Sequence, residues 1–195
     1  LGLALVFLFL TRPIAGLLGS WLPDLPGEDN PVEPRYLDRS AIGNPTLALA
    51  HAERETLRMG DVVERMVARS LDALRDNDER LMREIEQQDD IVDALHQAIK
   101  FYLTELSREP MSEKDSRRSQ EVISFTINLE HIGDIVDKNL MELAAKKARH
   151  KSHFSEEGFL EIASLYKHLL ENFKLAFAVF MSDEVEMARQ LLTEK

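Results

Sequence analysis

The chain contains no cysteine, so neither a disulfide framework nor a thiolate metal site is available to it. Any metal must be held by oxygen ligands or by its six histidines. Oxygen-rich sites suit Mg, Ca, Mn and iron better than structural zinc. Basic residues are in the minority: 24 Lys and Arg face 35 Asp and Glu, a formal charge of −11. That balance argues against general nucleic-acid binding, which rests on neutralising phosphates. No alternating β pattern of useful length occurs, so strands are not expected. A Gly-rich phosphate loop, a nucleophile–base constellation and an H-E-x-x-H motif are also missing. A catalytic reading would have only carboxylates to draw on. Proline is concentrated in one segment, where Pro23, Pro26, Pro31, Pro34 and Pro45 account for five of the seven.

What is present is 44% hydrophobic content, enough for one core of moderate size. Leu1 to Leu10 form an apolar run. Ten residues make a helix of roughly 15 Å, half of the ~30 Å a bilayer requires. The run therefore reads as the end of a transmembrane helix. Residues 1–22 combine it with an interfacial segment anchored by Trp21. Residues 23–45 read as a Pro-rich linker. Beyond Pro45 the apolar spacing is helical throughout. It predicts helices over about 46–74, 79–107, 112–148 and 156–181, with a fifth beginning at Glu184. Asp78 is placed to cap the second helix, and Ser112 the third with Asp115 three residues on. The expectation is all-α: a first three-helix bundle over 46–149 and a truncated second bundle over 150–195.

Carboxylates interrupt two of the apolar stripes. On the third helix Glu130, Asp134 and Asp137 fall in line with Ile123, Ile127 and Met141, at spacings that keep one helix face. On the second, Asp89 and Asp93 share a face, and Asp89 sits where the seam of Ile85 and Val92 expects an apolar residue. Glu86 and Asp90 make a similar pair shifted by one position. Carboxylates on an apolar stripe are costly unless a metal, a basic residue or water compensates them. Antiparallel packing would set Asp89 and Asp93 against Glu130 and Asp134, the way bundles build carboxylate metal sites. Gly133, inside one pair, costs ~1 kcal/mol in a helix interior and makes room for another backbone or a hydrated ion. His96 and His131 are candidates to support a ligand from outside, with Glu86, Asp90 and Asp137 as additional ligands. The competing reading is that the acids are solvated or paired with Lys and Arg. A carboxylate-bridged metalloenzyme is disfavoured, because no Glu-x-x-His pair faces these motifs.

Four segments carry a family resemblance. They are the apolar start ending Phe9-Leu10-Thr11-Arg12-Pro13, the stretch Asn44-Pro45-Thr46-Leu47-Ala48-Leu49-Ala50-His51-Ala52-Glu53-Arg54-Glu55, the stretch Asp89-Asp90-Ile91-Val92-Asp93-Ala94-Leu95-His96, and Leu129-Glu130-His131-Ile132-Gly133-Asp134. Together they resemble the C-terminal part of Na+/phosphate cotransporter family proteins that carry a PhoU-like domain. The resemblance implies PhoU-like antiparallel helical bundles. It also implies acid-x-x-x-Asp motifs that bind metal, with Fe, Zn, Mn or Mg as candidates. The matching positions are Asp89, Asp93, Glu130 and Asp134, and His131 stands where the pattern usually has Arg. It further implies a non-enzymatic regulatory domain on the cytoplasmic side of the plasma membrane. Its partners would be the transporter's own transmembrane domain, with Na+ and phosphate reached through it, and a second copy in a homodimer. The alternative is a structural bundle for oligomerisation or docking without metal.

Overall fold

The computed structural model describes residues 30–182. The expected transmembrane end at 1–22, the start of the linker and the helix expected from Glu184 lie outside the described residues. Among the described residues there is no strand, and no helix is long and apolar enough to cross a membrane.

Helix α1, Pro45–Asp76, starts where Asn44 accepts the Leu47 amide on its side chain and Pro45 supplies a preset φ. It ends at Asn77, which takes the left-handed conformation at φ 57°. Asp78 then caps α2, Glu79–Leu106, by accepting from the amides of Arg80 and Leu81. The turn is so short that α1 and α2 form an antiparallel hairpin, and Arg69 meets Glu84 across it. Ser112 caps α3, Glu113–Asp134, through the Asp115 amide. The helix passes without a break into a π-helical segment, Ile135–Met141, and then into α4, Glu142–Arg149. Lys147 reaches back to the Asn77 side chain at 2.7 Å and pins α4 to the α1–α2 turn. After residues 150–155 the chain enters α5, Glu156–Ser182.

The core lies between α1, α2 and α3. Met59, Val63, Met66, Ile85, Leu95, Ile99, Val122 and Leu129 are all buried there. Such side chains each contribute roughly 1.5–3 kcal/mol by leaving water. Helix α5 lies against α1 and runs antiparallel to it. Tyr166 hydroxyl meets Ser70 Oγ at 3.0 Å, while Phe177 fills the space left open at Gly60. Phe125 of α3 stacks on Phe180 at 4.3 Å between centroids. Arg118 closes the same end by donating to the Phe180 carbonyl at 2.7 Å and pairing with Glu53.

Part of the expected linker is structured. Glu55 is fully buried on α1 and accepts the backbone amides of Arg35 and Tyr36 at 2.8 and 2.6 Å. Arg58 pairs with the other Glu55 oxygen and donates to the Glu33 carbonyl. Tyr102 of α2 donates to the Asp38 carbonyl at 2.8 Å. Residues 33–42 are thus a strap lashed across α1 and α2. Composition reads this stretch as a linker because its anchors are one buried carboxylate and main-chain groups, which leave no apolar period.

Candidate metal centre

The third helix does not bury the stripe on which its acids were expected. Its buried residues are Ser119, Val122, Thr126, Leu129, Gly133 and Val136, one position off that line, and then Met141 and Ala144. Ile127, expected in the core, is exposed. The gap from Val136 to Met141 is five residues, one π turn, and it returns Met141 to the core. Asp134 and Asp137 therefore stand at the rim of the apolar seam beside α2, and Glu130 is half-buried on the same line. This costs less than burying them outright.

Asp89 is on the seam itself, as the α2 pattern predicts, and is only 7% exposed. Its Oδ1 is buried without a hydrogen-bond partner. A Cβ at position 133 would stand 2.8 Å from that oxygen and 3.4 Å from Val92 Cγ1. Glycine is what lets α2 and α3 approach here. Asp89, Asp93 and Asp134 each offer a carboxylate oxygen, and these atoms lie within 4.8 Å of one another. Burial, followed by the charges of Asp137, Asp93 and Asp134, pushes the Asp89 carboxyl up to about 7. Burial also raises Asp137, with Lys138 opposing and Asp134, Asp90 and Asp93 adding to the rise.

A groove of about 750 Å³ opens beside the triad, lined in part by Glu86, Asp90, Asp137, Lys138 and Glu142. Asp137, Asp90 and Glu86 thus border the site rather than close the triad. Glu130 is not in the triad; its Oε2 lies 3.7 Å from His131 Nε2, and that histidine is largely exposed. His96 lies on α2 one turn beyond Asp93, half-buried. Lys138, which pattern reading passed over, forms an ion pair with Asp134. The signal for it was simple: it stands four residues after Asp134 on a helical segment.

A hard cation matches this donor set. The buried Asp89 Oδ1 has no hydrogen-bond partner, the absent side chain at Gly133 leaves space beside it, and the oxygens gathered there are carboxylate oxygens. Asp89, Asp93 and Asp134 would hold such an ion.

Residues 56–142 match the PhoU domain family model, a span that runs from α1 to just past the π segment and includes every residue of the triad. The chain is 39% identical over 191 residues to "Putative inorganic phosphate export protein YjbB" of Escherichia coli (strain K12), covering 98% of this chain and 35% of that protein. The protein of the same name from Salmonella typhimurium is 39% identical over 172 residues, 88% of this chain and 32% of its own length. The chain thus spans about a third of the length of the curated relatives it matches. No solved structure matches it.

Proposed function

We propose that this PhoU-type bundle is a regulatory module of a protein that moves inorganic phosphate across a membrane, with a divalent cation at Asp89, Asp93 and Asp134 setting its state. The observation that carries the metal half is Asp89, a buried carboxylate with an unpartnered oxygen beside two further carboxylates. The name of the relatives carries the phosphate half, and it speaks of export rather than of sodium-coupled uptake. On this reading the bundle lies on the cytoplasmic side of the plasma membrane, joined to a transmembrane domain, and performs no chemistry itself. A bound cation supplies fixed positive charge that holds α2 to α3. Asp89 presents the buried oxygen, and Gly133 keeps the approach open. Two states of the bundle must differ in their contacts with the transport domain for this to regulate anything.

The test is phosphate efflux from cells expressing the full-length protein, wild type against Asp89→Asn with Asp93→Asn. A changed efflux rate at equal protein level supports the module. An unchanged rate removes the metal centre from regulation.

A docking role has one observation in its favour. Leu160, Leu165 and Leu169 of α5 are exposed, although α5 is the most apolar of these helices. Sedimentation of the chain at rising concentration separates self-association through this helix from a monomer.

A further inference from the structure

Lys138 occupies an unusual place for a surface lysine. It is the middle residue of the π segment, Ile135–Met141, and its ammonium sits on Asp134, a member of the triad. It also lines the groove beside the site, next to Asp89 and Asp137. The Lys138 charge opposes the upward push that the surrounding acids exert on Asp89. Yet it leaves Asp89 Oδ1 without a hydrogen bond. The lysine therefore offsets the charge of the cluster without meeting the demand of its most buried oxygen.

We propose that Lys138 is a built-in competitor for the metal, holding Asp134 in the empty site and yielding it when a divalent cation binds. This rests on the metal reading of the triad given above. Three points carry it. An ammonium and a divalent cation drawn to the same carboxylate repel each other at close range, so joint occupancy is disfavoured. The Lys138 side chain is 62% exposed on a flexible stem, so it swings into water at little cost. The exposed i,i+4 pair contributes little stability of its own, so its loss is easily offset by a metal. Loading the site then sets free a positive charge on the surface of the π segment. Metal occupancy becomes legible to a partner as a displaced lysine, without a large movement of the helices.

A lysine that only repels the cation through space makes a different forecast: its side chain stays on Asp134 as the site fills, and its ε-methylene signal does not move toward that of a free lysine. The experiment is calorimetric titration of Mn2+ into the whole chain, as wild type, Lys138→Met and Asp93→Asn, with helicity checked by circular dichroism. Competition predicts that Lys138→Met binds Mn2+ about tenfold more tightly, within the usual range of coupled-site energies. A second readout is the NMR signal of the Lys138 ε-methylene, followed with diamagnetic Mg2+, which shifts toward that of a free lysine as the wild-type site fills. Binding that Asp93→Asn abolishes but Lys138→Met leaves unchanged or weakens overturns the competitor role alone. No binding by wild type or by Lys138→Met overturns the metal reading, and the competitor role with it.

Discussion

Gly133 and Asp89 meet across the α2–α3 contact so closely that a Cβ at 133 would come within 2.8 Å of Asp89 Oδ1. The glycine and the acid are one feature. A helix normally avoids an interior glycine, and a buried stripe normally avoids an aspartate. Each makes room for, or use of, the other.

Gly133→Ala therefore acts on the site before it acts on the fold. The added methyl meets the end of a movable side chain, so Asp89 turns aside instead of the helices parting. The gain of alanine over glycine in a helix, ~1 kcal/mol, offsets most of the crowding. The expected result is a melting temperature within a few degrees of wild type and Mn2+ affinity reduced at least about tenfold, a loss of about 1.4 kcal/mol. Thermal melts and metal titration on one sample read both.

Stability should fall as pH rises through the Asp89 range. The folded carboxyl titrates at about 7, above its ordinary value of 3.8. Between those two values the folded state holds more protons than the unfolded state, so the slope of stability against pH is negative. Asp137 is raised as well and adds the same sign. Metal-free chain should therefore be more stable near pH 5 than near pH 7.5 with respect to these groups, and Asp89→Asn should flatten the slope. Added Mn2+ should stabilise most at the higher pH, because its ligands must be deprotonated. Denaturant melts across this range, with and without metal, test all three statements.

The strap depends on Glu55. Glu55→Gln replaces one acceptor oxygen with an amide donor and removes the charge that Arg58 neutralises. At least one of the three N–H groups now on Glu55 then loses its acceptor. Breaking a buried charged pair costs about 3–5 kcal/mol when the partner stays buried. Here Arg58 retains the Glu33 carbonyl, so the lower end is expected. Hydrogen exchange at the Arg35 and Tyr36 amides should accelerate more than exchange in the core of α2.

Gly60 seats Phe177. An added Cβ would lie 2.0 Å from Phe177 Cζ, which no small adjustment relieves. Gly60→Ala should destabilise by about 1–3 kcal/mol, the usual range for overpacking. Combining it with Phe177→Leu should recover part of the loss. A double-mutant cycle by thermal melt measures that coupling.

Much of this arrangement was legible in the chain. The caps at Asp78 and Ser112 and the bounds of the four long helices follow from local chemistry, which acts within a turn or two. Asp89 was legible because it breaks an otherwise apolar seam in a straight helix. The acids of the third helix were misplaced by one position, and the reason is physical. The spacing from Ile123 to Met141 suits an uninterrupted α-helix, whereas the chain inserts a π turn after Asp134. A π turn has no residue signature of its own; the tertiary fit of Val136 and Met141 on either side of it selects it. The strap was illegible for a similar cause, since main-chain amides that bind a distant carboxylate leave no mark on composition.

The most direct test is anomalous diffraction from crystals of the chain grown with Mn2+. The expected result is a peak among Asp89, Asp93 and Asp134 that disappears in Asp93→Asn. Well-ordered crystals with no peak there, or with Mn2+ bound only elsewhere, would contradict it.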